Sequence, residues 1–277
     1  PYLGLGVNGT VTVNWGDGSA TDTLSGGNIN TVVTVQHTYA VAGNYVISLT
    51  PASGTTYIMT GSSTASRLLG AVGNTASNSA RVYLNFIQKI EIGSGVSSIG
   101  SYAFNYCFSL TSVTIPSNVT SIESNAFYNC YSLTSVTIPS NVTSIKQSVF
   151  YNCSSLKSIT LPSSVTRIEN NSLSSCRSLA SVTIPSSVTL IDSNAFSNCF
   201  ALPSVTIPSN VTSIKSSAFY NCYALASVTI PSNVTSIESS AFGNCYALAS
   251  VTIPSNVTSI ESNVFSSCFG IATLHFK

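Results

Sequence analysis

The chain has 277 residues, a formal net charge of +1 and only 6% charged residues, against roughly 25% in an ordinary soluble domain. Nucleic acid is excluded as a partner, because phosphate binding needs clustered Lys and Arg and no basic run occurs. No stretch of about 20 apolar residues is present, so no transmembrane segment is expected. Ser, Thr and Asn fill the polar positions, which gives weak electrostatic protection against self-association. The chain starts at Pro1 rather than Met, as a removed leader or a trimmed numbering would leave it.

Residues 11–18 read VTVNWGDG and residues 37–48 read HTYAVAGNYVIS. Short alternating strands between Gly, Asn and Asp turns predict a β-sandwich over 1–60, with Trp15 in its core and Gly16-Asp17-Gly18 as a turn. The Trp-Gly-Asp-Gly, His-Thr-Tyr and Gly-x-Tyr-x-Val elements resemble the PKD-type immunoglobulin-like domain. The segment is short for that family, so the resemblance implies a strand that is missing or supplied by a neighbour. It also implies that Asp17 could touch Ca²⁺. The residues themselves read Asp17 as a turn residue, and no metal or other cofactor is expected. Residues 61–84 are rich in Gly, Ser, Thr and Ala and are predicted to be a linker or a solenoid cap.

From about residue 85 the chain repeats. Cys107, Cys130, Cys153, Cys176, Cys199, Cys222, Cys245 and Cys268 are each 23 residues from the next, and a fixed period of this size predicts a solenoid. Eight units are expected within 85–277, with GIATLHFK as a final strand. Within one unit Leu110, Val113 and Ile115 alternate with Ser112 and Thr114, which predicts a strand with one buried face. Pro116 ends it, because proline cannot donate to a ladder. Val119 and Ile122 point inward from a second short strand. SNAFYNC follows as a tight turn or one helical turn that tucks in Ala126, Phe127 and Cys130. One unit cannot bury its own apolar face, so it needs its neighbours. The fold class is therefore mainly β: an N-terminal β-sandwich followed by a solenoid of 23-residue units. The pattern C-x-x-L-x-x-V-x-I-P-x-x-V-x-x-I-x-x-x-A-F-x-x-C resembles the BspA-like, or Treponema-type, leucine-rich repeat. That resemblance implies a secreted or surface-attached protein concerned with adhesion and protein binding rather than catalysis.

Stacking turns each repeated position into a column. The cysteine column is expected to hold buried thiols as small apolar fillers. Disulfides between neighbours are the alternative, but parallel stacked side chains point the same way. Asn118, Asn141, Asn210, Asn233 and Asn256 each open Asn-Val-Thr, and Asn8 and Asn170 also satisfy the N-glycosylation rule. Asn152 satisfies it too but sits beside a buried Cys. Either these carry glycans, or the Asn-Val-Thr column is a set of asparagines that bond their own turns. The residue after each Cys supplies Phe108, Tyr131, Phe200, Tyr223, Tyr246 and Phe269, interrupted by Ser154 and Arg177. These rings are candidate contacts for a partner, with mutual ring packing as the alternative. Glu123, Lys146, Glu169, Asp192, Lys215, Glu238 and Glu261 form a charge column expected to support register. Ser112 and Thr114 begin a Ser-x-Thr face that resembles ice-binding solenoids.

His37 and His275 are the only histidines and lie in different ends of the chain. No catalytic triad, metal site or phosphate loop can be assembled from them, so an enzyme is not expected and His37 is read as structural. The expected function is a non-enzymatic extracellular structural or adhesion protein. It would self-assemble into a fibre or surface layer through end-to-end contacts of solenoid and sandwich. Near-identical units, low charge, a short sandwich and a thin cap in LHFK favour that reading. The alternative is a monomeric cell-surface module that recognises a protein or glycan, with Lys157, Arg167 and Arg177 marking the most varied units. Ice binding by the Ser/Thr face is a further alternative. The expected partners are thus copies of the chain itself or a surface protein or glycan.

Overall fold

The computed structural model describes residues 2–41, 46–52, 56–59, 88–94 and 96–277; the linker or cap expected over 61–84 lies outside the described residues. The protein is mainly β, with no helix among the described residues, and its repeats form a β-solenoid of about eight turns. The chain divides into two compact units, Pro1–Val142 and Thr143–Lys277.

In the first unit, β1 (Tyr2–Asn14) and β2 (Asp22–Gln36) pair antiparallel, with a bulge between Gly6 and Val7. Both are longer than the short strands expected. Val11, Val13 and Trp15 are buried while Asn14 is exposed, as period-2 alternation requires. Gly26 is needed where it stands, since a Cβ there would lie 2.6 Å from the carbonyl oxygen of Val7. β3 (Val46–Pro51) and β4 (Thr56–Met59) each pair antiparallel with β1. β3 runs parallel to β5 (Lys89–Glu91), and β4 to β6 (Val96–Ile99). β5 and β6 continue in parallel to β7 (Ser112–Thr114) and β8 (Ser121–Ile122). The sheet order is therefore β7-β5-β3-β1-β4-β6-β8. β3 and β4 head the two strand ladders of the first coils, and β1 joins them. β9 (Ser135–Thr137) is the last strand of this unit.

The second unit contains β10 (Ser144–Ile145), β11 (Ser158–Thr160), β12 (Arg167–Ile168), β13 (Ser181–Thr183), β14 (Leu190–Ile191) and β15 (Ser204–Thr206). It continues with β16 (Ser213–Ile214), β17 (Ser227–Thr229), β18 (Ser236–Ile237), β19 (Ser250–Ile253), β20 (Ser259–Ile260) and β21 (Thr273–Phe276). Partners sit 23 residues apart, as in Ser158↔Ser181 and Ser213↔Ser236. The long-strand ladder of this unit is interrupted between β13 and β15 and again between β17 and β19, and only the first break coincides with a proline. Pro203 precedes β15 and has no N–H, whereas Ala180 and Ala226 at the same position donate to Lys157 and Pro203.

SNAFYNC and its equivalents are turns rather than a helical turn. Two residues per coil, four apart, hold a left-handed backbone: Asn125 and Asn129 at φ 60°, Asn194 and Asn198 at 56° and 61°. Asn is enriched there because its short polar side chain tolerates that region. Alternate N–H groups then point along the stack. Phe196 donates to Ala218 at 2.9 Å and Phe219 to Ala241 at 2.8 Å. Inside, Phe196, Phe219, Phe242 and Phe265 stack face to face at 5.4–5.8 Å. The column breaks at Leu173, and beside it Ser172 stands where most coils carry Ala. The Ser172 hydroxyl is fully buried with no hydrogen-bond partner among the described residues.

Candidate functional site

The turn after each cysteine projects the aromatic column. In the second unit Phe200 stacks on Tyr223 at 4.5 Å and 5°, Tyr223 on Tyr246 at 4.7 Å and 9°, and Tyr246 on Phe269 at 5.7 Å and 17°. The Arg177 guanidinium lies over Phe200, 5.6 Å from the ring centre. Phe200 and Tyr223 are half-buried, Tyr246 is 42% exposed and Phe269 82%. Because successive faces cover one another, solvent meets mainly ring edges. In the first unit Phe108 stacks on Tyr131 at 5.0 Å and 19°. Tyr106 stands edge-on to Phe108 at 74° and to Tyr128 at 70°. Sequence reasoning passed over Tyr106 and Tyr128, although both are aromatic and close to Cys107 and Cys130. It also took Arg177 for a gap in the column, whereas Arg177 caps it.

The Asn-Val-Thr asparagines are exposed and do not bond their own turns. Asn118 donates to Val96 at 2.6 Å, Asn141 to Ser117 at 2.8 Å, and Asn210, Asn233 and Asn256 to Ser186, Ser209 and Ser232 at 2.7 Å. Each acceptor is a main-chain carbonyl of the preceding coil. Thr235 and Thr258 of the same motif also donate to the preceding coil, at 3.3 Å. Asn170 accepts from the Asn171 amide. Asn8 lies in β1 opposite Gly27; its side chain is outside what is described. A second amide column runs from Asn244 to Asn221 to Asn198, each step 2.7 Å. Its signal in the sequence was the recurrence of Asn directly before Cys.

None of the eight cysteines forms a disulfide, and all but Cys268 are buried. Burial pushes the thiols of Cys107, Cys176 and Cys222 up to about 12. Six of the thiols do more than fill space. Cys222 donates to the Phe196 carbonyl at 3.3 Å, and Cys245 to that of Phe219 at 3.3 Å, so a weak S–H donor serves a buried acceptor.

Three acids of the charge column, Glu169, Glu238 and Glu261, reach back one coil. Glu238 accepts from Lys215 at 2.6 Å, from the Ser216 amide at 3.1 Å and from the Ser213 hydroxyl at 3.3 Å. Partial burial alone would raise its carboxyl above the ordinary value, but Lys215 and Ser216 outweigh that and hold it below. Glu169 accepts from the Ser144 hydroxyl at 2.7 Å and faces Lys146 at 3.7 Å. Asp192 accepts from the Ser193 amide, and Glu261 from that of Ser239. Lys157, Arg167 and Arg177 are exposed, and among the described residues none of them forms an ion pair.

On the strand face Ser204, Thr206, Ser227, Thr229 and Ser250 are exposed. A recess of about 340 Å³ opens there beside Thr229 and Thr252. In the first unit, Asp17 accepts from the Ser19 amide at 3.0 Å and pairs with His37 at 2.8 Å. Hydrogen bonding from Ser19, opposed by some desolvation and aided by His37, holds this carboxyl down at about 2. The His37 ring stacks on Trp15 at 4.7 Å and 10°, and Trp15 Nε1 donates to Asp22 at 2.6 Å. Asp17 thus has both oxygens engaged in holding the turn to the strand end.

Residues 77–202 and 174–277 match the BspA type leucine rich repeat region, in six copies. No curated protein matches the chain. Among solved structures, a leucine-rich repeat protein from Eubacterium ventriosum is 25% identical with a TM-score of 0.50, over 83% of this chain and 67% of that one. The leucine-rich repeat protein of T. pallidum is 29% identical with a TM-score of 0.42, over 58% and 65%. One from Bacteroides ovatus is 24% identical with a TM-score of 0.42, over 68% and 66%. The chain spans about two thirds of the length of these structures.

Proposed function

Since the chain belongs to the BspA-type leucine-rich repeat family, we propose that it is a non-enzymatic protein of the cell surface or extracellular space that holds a partner through its aromatic columns. The Phe200–Tyr223–Tyr246–Phe269 stack carries this reading. It is an exposed apolar strip whose only charge is Arg177 at its head, and clustered aromatics favour interfaces. Glu169, Glu238 and Glu261, by contrast, are spent on register between coils. Phe108 and Tyr131 form a second contact of the same kind.

Self-assembly into a fibre or surface layer is the second reading, favoured by the low charge and the near-identical coils. Ice binding has less support, since the interrupted pairing at Pro203 works against a continuous lattice. The proposal includes a PKD-like character for residues 1–60, supported by the packing of Trp15 against His37. It also includes glycosylation of the exposed Asn-Val-Thr column. There the Nδ2 atom that would carry the sugar already donates to the preceding coil, so transfer has to precede folding. Asn8 and Asn170 are included as further sites.

The test is binding of the full chain to arrays of extracellular-matrix proteins and of glycans, alongside negative-stain electron microscopy over a concentration series. Binding that drops in Tyr223→Ser and Tyr246→Ser, with isolated particles throughout, supports the binding reading. Filaments that lengthen with concentration shift it to the fibre reading. Absence of both binding and filaments sinks it.

A further inference from the structure

The acids of the second unit and Arg177 are used differently. Glu169, Asp192, Glu238 and Glu261 all accept hydrogen bonds from the solenoid. Arg177 does not pair with any of them; it is exposed and lies over the Phe200 ring, 5.6 Å from its centre. Its guanidinium is therefore an uncompensated positive charge at one end of an aromatic strip. The strip is bordered by small residues, with Ala201, Ala224 and Ala247 next to the rings and Ala226 and Ala249 beyond.

We propose that this strip docks an extended segment of another protein that sets a single carboxylate on Arg177 and lays apolar side chains against Phe200, Tyr223 and Tyr246. The inference rests on the binding reading above and names its partner class. Three features select the occupant. Arg presents a planar fork of donors that matches a carboxylate. Ring edges carry positive partial charge and receive carbonyl and carboxylate oxygens. Sugar recognition by stacking needs an open ring face, and the faces of Phe200, Tyr223 and Tyr246 are covered at 4.5–5.7 Å. A polyanionic glycan would need cations repeated along the column, and below Arg177 the same position holds only Phe200, Tyr223, Tyr246 and Phe269. One acid followed by apolar groups is what the column fits.

The experiment pans a displayed random dodecapeptide library on the full chain. Selected peptides are then measured by fluorescence polarisation against wild type, Arg177→Ala, Arg177→Lys, Tyr223→Ser and, as an off-strip control, Arg167→Ala. The proposal expects peptides sharing one Asp or Glu beside aliphatic or aromatic residues. It expects a loss of about tenfold in Arg177→Ala, partial retention in Arg177→Lys, a loss in Tyr223→Ser and none in Arg167→Ala. Weaker binding at higher salt follows from a single ion pair. Circular dichroism on each variant separates lost binding from lost fold, and Arg177 is exposed, so the variant at that position retains the solenoid. Uncharged consensus peptides, or equal binding by Arg177→Ala, overturn the inference and leave the binding reading standing. Glycans bound while no peptide binds overturn the protein-segment assignment alone. If nothing binds, both fall.

Discussion

The coil that runs into Cys176 and the coil that runs into Cys222 share a backbone path but not its energetics. In the second, Phe219 lies between Phe196 and Phe242, Ala218 fills the neighbouring position and Asn221 continues an amide column. In the first, Leu173 stands for the ring, Ser172 buries an unpartnered hydroxyl and Ser175 replaces the amide. In a solenoid each coil touches only its neighbours, so stability is close to a sum of local terms and a poor coil stays poor. Regularity is thus a stabilising property of columns, and the departures show where stability was surrendered. The coil that surrendered it also carries Lys157 and Arg167 and ends one residue before Arg177, three cations that form no ion pair among the described residues.

The comparison can be broken most forcefully at Phe219. Phe219→Ala is expected to cost about 3–5 kcal/mol in urea unfolding, and Leu173→Ala less, because fewer ring contacts are lost. Equal costs would mean that the ring column is not the source of the difference. Ser172→Ala should do the opposite and raise stability by about 1 kcal/mol, since it removes a buried donor that has no acceptor. Hydrogen exchange should slow at Ser172 and Leu173 in that variant, and unchanged exchange would show that the hydroxyl is satisfied after all. Asn221→Ala takes away one bond to Asn198 and one from Asn244. It should cost about 1 kcal/mol and leave the midpoint of Ser175→Ala, at the edge of the amide column, nearly unmoved.

The smallest effect is electrostatic. Glu238 is held below its ordinary 4.5, so its contribution is complete above that pH and is lost as pH falls through the lowered value. Both partners are partly exposed, and the pair is worth about 0–1 kcal/mol. Lys215→Ala should therefore flatten the stability curve slightly on its acid side and leave the unfolding slope unchanged. A loss at neutral pH that does not diminish on acidification would assign the effect to packing of the lysine stem instead.

The sequence by itself determined the period, the strand at SVT, the second strand at SI and the identity of every buried column. These follow from which side chains avoid water, and Leu110, Val119, Phe127 and Cys130 are fully buried. It also put the aromatic rings on the outside of a turn. Only the tertiary structure decided what the polar atoms do. The Asn233 amide serves the preceding coil rather than its own turn, Glu238 reaches back to Lys215 and Ser216, and the cysteine thiol serves a phenylalanine carbonyl. It likewise decided that β3 and β4 extend the strand ladders and that Arg177 caps the ring column. The reason is physical. Burial is a property of one residue in one coil and leaves a pattern along the chain. A hydrogen bond or a ring stack needs two groups brought together by stacking, 22 to 26 residues apart, and its direction is set by which main-chain atoms the turns aim along the stack.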